Sequence, residues 1–153
     1  MSSRTPLRAL VLEDSEFDAR VMVQALRTGG YDTHWQRVET AEGMEAALKR
    51  EGWDIILADY NMPSFNAPQA LQIVQKAGLD IPFIIVSGGI GEDVAVAAMK
   101  AGAHDYVMKG NPARLLPAVE RELREAEVRR QRREAEGVIR DRELRYRSLW
   151  ENS

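Results

Sequence analysis

The sequence predicts an α/β domain built on a doubly wound parallel sheet, and three observations carry that prediction. Short runs rich in β-branched residues alternate with segments of helical spacing as far as about residue 125. The runs are apolar almost throughout, as strands covered on both faces must be. Parallel neighbours need a crossover connection, and each interval between runs holds one helical segment.

Leu10-Val11-Leu12 forms the first strand, His34 to Val38 the second, Ile55-Ile56-Leu57-Ala58 the third and Phe83-Ile84-Ile85-Val86 the fourth, with Asp105 to Met108 as a weaker fifth. Phe17 to Arg27 carries Val21, Val23 and Leu26 at helical spacing and stops at Gly29-Gly30. Ala41 to Lys49 follows Thr40, a residue able to cap it, and Pro68 to Lys76 carries Leu71, Ile73 and Val74. Glu92 to Lys100 carries Val94, Val96 and Met99 and ends at Ala101-Gly102. A fifth helix begins near Pro112 and places Leu115, Leu116, Val119 and Leu123 on one face.

Composition narrows the functional classes. The 153 residues fit one ordinary domain with a short appendage, divided here as 7–125 and 126–153, and leave no room for two catalytic domains. The net charge of -3 provides no global field for nucleic acid or anionic lipid. With no cysteine and only two His, thiolate chemistry and an all-nitrogen metal site are not expected. The N-terminus has no apolar signal segment and no later run reaches membrane-spanning length, so the expected location is cytoplasmic, without membrane insertion.

In a doubly wound sheet, function collects at the C-terminal ends of the strands. The first strand ends on Glu13-Asp14 and the third on Asp59. Either Asp14 or Ser15 can cap the following helix, and one acid alone would be read that way. Three carboxylates on neighbouring strand ends repel one another unless a cation intervenes, and hard oxygen ligands suit Mg2+. The fourth strand ends in Ser87-Gly88-Gly89 and the fifth is followed by Lys109. Three carboxylates, a hydroxyl and an ammonium suit a tetrahedral phosphoryl group, with one carboxylate able to act as nucleophile.

With those residues in place, Glu13-Asp14, Asp59-Tyr60-Asn61-Met62-Pro63, Ser87-Gly88 and Tyr106-Val107-Met108-Lys109 resemble the receiver domain of two-component response regulators over about residues 7 to 125. The resemblance implies a flavodoxin-like five-stranded (βα)5 fold, here with an extended C-terminal helix. It implies that Asp59 accepts a phosphoryl group from a histidine kinase or phosphotransfer protein. It further implies that Glu13, Asp14, Asp59 and the backbone carbonyl of Asn61 hold Mg2+, that Ser87 and Lys109 contact phosphoryl oxygens, and that Ser87 and Tyr106 form a switch. Such a module is no enzyme beyond its own phosphorylation and dephosphorylation. The chain departs from the common family pattern at Phe65-Asn66-Ala67, where Met-Asp-Gly is usual, at Lys109-Gly110, where Lys-Pro is usual, and at Gly89, which offers no side chain near the phosphoryl position.

Rival readings fit less well. A bare phosphate site after the first strand would meet Glu13-Asp14-Ser15-Glu16, and a haloacid dehalogenase-type phosphatase needs a second acid where Asn61 stands. Trp53 reads as packing, and His34, His104 and the methionines receive no function.

Beyond Glu125 the chain becomes rich in Arg and Glu with no turn signal before Gly137, so the fifth helix is expected to continue. Val128, Ala135, Val138 and Leu149 give an imperfect coiled-coil register, the basis for expecting a homodimer through this helix. Its Arg residues are nearly matched by acids, so DNA is not an expected partner. Residues 144–153 are similar to the first helix of a PAS sensor domain. That similarity makes the chain readable as the N-terminal regulatory part of a longer protein, a sensor histidine kinase or diguanylate cyclase, with a PAS and effector domain downstream.

Overall fold

A computed structural model describes residues 4–89 and 91–151. Strands β1 (Thr5–Leu12), β2 (Tyr31–Val38), β3 (Ile55–Ala58), β4 (Phe83–Ser87) and β5 (Asp105–Met108) alternate with helices α1 (Glu16–Thr28), α2 (Ala41–Arg50), α3 (Ala67–Lys76), α4 (Glu92–Ala101) and α5 (Leu115–Glu151). The sheet is entirely parallel, in the order β2-β1-β3-β4-β5. This is the five-stranded doubly wound architecture with a long C-terminal helix that the alternation predicts. Strands β1 and β2 start earlier than their continuous apolar runs: ladder pairing from Thr5–Tyr31 onward takes in alternating residues, with Leu7 and Ala9 buried on one face of β1 and Thr33 buried in β2, a period-two pattern rather than a continuous run.

The period of two along a strand sorts the core into two layers. Leu10 and Leu12, Ile56 and Ala58, and Phe83 and Ile85 point to one face, where Met44 and Ala47 of α2, Leu71 and Val74 of α3 and Ala98 of α4 cover them. Ala9 and Val11, Ile55 and Leu57, and Ile84 and Val86 point to the other, against Met22, Val23 and Leu26 of α1 and Leu115 and Val119 of α5. The near-continuous apolar runs therefore feed both layers at once, as central parallel strands require.

Local chemistry sets the helix ends. Ser15 caps α1 by accepting from Asp18 N, and Thr40 caps α2 by accepting from Gly43 N. Asn66 and Gln69 form a reciprocal capping box at α3, with Pro68 in its first turn. The unusual Phe65-Asn66-Ala67 thus has a structural account: Phe65 is buried and Asn66 starts the helix. Pro112–Arg114 form a short 3-10 turn, so α5 proper begins at Leu115, three residues after the proline.

The chain divides into two compact units, residues 1–123 and 124–153. The second is the continuation of α5, in which Arg130 pairs with Glu127 and, at 2.8 Å, with Glu134 one turn on. Val128, Val138, Ile139 and Leu144 are exposed there. Asn152 and Ser153, the end of the PAS-like segment, lie outside the described residues. Among the described residues, no helix is long and apolar enough to cross a membrane.

Ile84 is fully buried in a central strand, so Ile84→Ala removes methyl groups that nothing nearby can replace. Its unfolding free energy in urea should fall by about 2–5 kcal/mol, with an unchanged m-value.

Candidate functional site

Four strand ends are brought level by the parallel register. Leu12 pairs with Ala58 and Ser87 with Met108, so Glu13-Asp14, Asp59 and Lys109 all leave the sheet on one rim. Backbone bonds extend the alignment past the strands: Asp59 N donates to Leu12 O at 2.8 Å, and Lys109 N to Ser87 O at 2.8 Å. Strand order reverses between β1 and β3, so the loops after them diverge and open a crevice there.

Into that crevice fold Glu13, Asp14 and Asp59, each with a carboxylate oxygen within 4.8 Å of the others. Glu13 is fully buried and Asp59 is 5 % exposed, whereas Asp14 is open to solvent. Burial pushes the Glu13 carboxyl up to about 7, against the lowering influence of Lys109 and of the Ser15 amide, which donates to Glu13 Oε1 at 3.1 Å. The neighbouring Asp14 and Asp59 push it in the same direction as burial.

One ammonium answers these charges. Lys109 Nζ lies 2.7 Å from Glu13 Oε2, 2.9 Å from Asp18 Oδ2 and 3.1 Å from Asp59 Oδ2. Burial works against the charged lysine, but the negative charge of Asp18, Glu13 and Asp59 close around it outweighs that and raises its pKa. The contact with Glu13 meets in distance without hydrogen-bond alignment, which leaves the buried Oε2 with acceptor capacity. Three hard carboxylate donors, one carrying a buried oxygen that accepts no hydrogen bond, are a donor set that fits a small divalent cation.

Ser87 ends β4 with its side chain fully buried, and its Oγ accepts from Asn61 Nδ2 at 3.0 Å. Accepting there leaves the hydroxyl's own proton to donate. Asn61 N donates to Asp59 Oδ1 at 3.0 Å, so one residue ties the β3 loop to both Asp59 and Ser87. Tyr106 is half-buried against the first core layer. Gly89 sits at φ +149, a backbone conformation that side-chain-bearing residues rarely adopt.

The structure thus brings Glu13, Asp14, Asp59, Asn61, Ser87 and Lys109 to one crevice. Two contributions were not foreseen in the sequence. Asp18 joins Lys109 from the first turn of α1, and Asn61 contributes its side-chain amide as well as its backbone. An acid three residues after a capping serine was the only visible signal for the first. Outside the crevice, Trp53 is buried and donates Nε1–H to Ala47 O at 2.9 Å, as packing requires. His34 stacks on it at a centroid distance of 6.0 Å and meets Glu51 at 3.0 Å, partners at sequence separations that motif spacing does not reveal.

A doubly wound parallel domain with an acidic crevice and a lysine at its strand ends defines the class: an α/β domain of the flavodoxin-like type. A family model described as the response regulator receiver domain matches residues 9–120, and the chain belongs to that family. It is 28% identical over 105 residues to a chemotaxis protein CheY homolog of Campylobacter jejuni, covering 67% of this chain and 81% of the relative. It is 29% identical over 109 residues to the response regulator protein FleR of Pseudomonas aeruginosa, covering 71% of this chain and 23% of that longer relative. Among solved structures, a CheY-like receiver domain protein from Methanospirillum hungatei superposes with a TM-score of 0.69 at 26% identity, covering 82% of this chain and 99% of the other. Receiver domains are signalling modules of two-component systems rather than classical enzymes; they interact with histidine kinases or phosphotransfer proteins and bind Mg2+ at an acidic pocket.

The Ser15 cap holds the start of α1 against this crevice. Ser15→Ala should lower stability by about 1 kcal/mol, read from thermal or urea unfolding.

Proposed function

We propose that the chain is a phosphorylation-dependent switch in which Asp59 accepts a phosphoryl group from a histidine kinase or phosphotransfer protein. The observation that carries this reading is the position of Asp59: nearly buried, with two further carboxylates beside it and Lys109 at 3.1 Å. A carboxylate so placed is a nucleophile with a cation beside it to meet part of its product's charge. An Asp59 oxygen attacks phosphorus, the phosphorus–nitrogen bond of the phosphohistidine breaks, and the imidazole leaves with the electron pair and takes up a proton. The product is an acyl phosphate on Asp59.

Glu13, Asp14, Asp59 and the backbone carbonyl of Asn61 would hold Mg2+, which when bound supplies positive charge against the repulsion between the carboxylates and an anionic phosphodonor. Lys109 binds phosphoryl oxygen through its N–H groups. Ser87 exchanges its Asn61 partner for a bond donated to the phosphoryl group, and Tyr106 follows into the space released, which couples Asp59 to the β4–α4 and β5 face. The cytoplasm, where kinases and nucleotides are found, is the fitting location.

A second reading has its own support: this receiver serves as the regulatory input of a longer protein, such as a sensor histidine kinase or diguanylate cyclase with a PAS domain following α5. The support is α5 itself, 37 residues long with Val128, Val138, Ile139 and Leu144 exposed in a single chain. A homodimer through those residues would give them partners.

Incubated with Mg2+ and acetyl phosphate, the wild-type chain should gain one phosphoryl mass and Asp59→Asn none, with labelling lost in EDTA. Equal labelling of both chains would sink the assignment of Asp59. For the helix, light scattering should give twice the monomer mass for the wild type and the monomer mass for Val138→Arg with Ile139→Arg. A wild-type chain that stays monomeric with and without beryllofluoride rules the dimer out.

A further inference from the structure

Lys109 receives one more carboxylate than a cation pocket of Glu13, Asp14 and Asp59 accounts for. Asp18 stands at the third position of α1, outside the group of acids close enough to share a cation, and its side chain is 37% exposed. An acid in the first turn ordinarily serves the helix dipole. Glu16, in the same turn, does so on the outer surface, tied to Arg20 at 2.8 Å. Asp18 instead turns its Oδ2 to an ammonium 91 residues away in sequence, at 2.9 Å. That direction is set by the backbone, because Asp18 N is bonded to the Ser15 cap at 3.2 Å and the α1 entry is fixed beside the crevice.

Three carboxylates crowd one ammonium, Asp18 and Asp59 through hydrogen bonds and Glu13 by ion-pair distance. A lysine has three N–H donors and no acceptor, and three carboxylates lie within reach of this one. A phosphoryl group on Asp59 brings further strong acceptor oxygens into the same space. Those oxygens contend with the existing carboxylates for the same donors. Glu13 and Asp59 belong to the pocket that would accept cation and phosphoryl group; Asp18 does not, and its hold on Lys109 gives nothing back to that chemistry.

We propose that Asp18 is a positioning residue that holds Lys109 on the α1 side of the crevice and so attenuates the affinity of the site for a phosphoryl group. This rests on the reading of Asp59 as phosphoacceptor. Asp18 acts through Lys109 and touches no reacting atom. Its length sets how far the ammonium is drawn off, and its charge sets how strongly.

The test uses the full chain with Mg2+ and beryllofluoride, titrated by calorimetry. Asp18→Ala and Asp18→Asn should bind beryllofluoride roughly two- to fivefold more tightly than wild type, the size of a partly exposed ion pair, and Asp18→Glu should return toward wild type. In a Lys109→Ala background, adding Asp18→Ala should change nothing, whereas a general charge effect would persist there. In the ligand-free chain, the 15Nζ resonance of Lys109 should move in Asp18→Ala. Unchanged or weaker binding by Asp18→Ala, an equal gain without Lys109, or a Lys109 resonance that stays in place each overturns the role of Asp18. A wild-type chain that binds no beryllofluoride while its Lys109 resonance still responds to Asp18→Ala overturns the phosphoacceptor reading instead, and the attenuating role with it.

Discussion

The structure around the crevice depends on one electrostatic constraint: several carboxylates at adjacent strand ends must share very little positive charge. Glu13 and Asp59 are buried at the mouth of the sheet, where an uncompensated carboxylate is costly. Lys109, arriving from the far side of β4 on the end of β5, is the cation that reaches both. That one side chain links the first, third and fifth strand ends. It also explains why burial raises the Glu13 carboxyl while its ionic partner resists the change. Receiver domains, the family to which this chain belongs, are signalling modules.

The fold's contribution is to make that meeting inexpensive elsewhere. The two apolar layers put nearly all hydrophobic burial below the rim, in side chains alternating along β1, β3 and β4. The rim is left to polar residues with specific tasks. Ser15 starts α1, Asn61 bridges Asp59 to Ser87, and Gly89 takes a backbone conformation open chiefly to glycine. Asn61 is the most economical of these, since one residue uses both its backbone amide and its side-chain amide to connect two strand ends.

The residues after 123 form a separate unit with different physics. No core stabilises it; pairs such as Arg130 with Glu134 support the helix locally, each with a modest contribution. Val128, Val138, Ile139 and Leu144 stand exposed there at irregular spacing.

The sequence by itself determined the element order, the parallel sheet and most of the crevice. Hydrophobic period is a local property, and strand ends are marked by the residue at which an apolar run stops, so Glu13, Asp59, Ser87 and Lys109 could each be placed without a structure. The extent of β1 and β2 was not legible from continuous apolar runs, because their first residues alternate, as Leu7, Arg8 and Ala9 do, and the pairing partner that orders them is distant in sequence. Nor was the stacking of His34 on Trp53. Only the tertiary structure decided that Asp18 faces Lys109 while Glu16 faces Arg20, and that the Asn61 side chain reaches Ser87. The physical reason is that helix entry angle and loop path aim a side chain, and both are fixed by packing between elements distant in the chain. Two acids in one turn look alike in sequence; their partners are chosen by where the helix comes to rest.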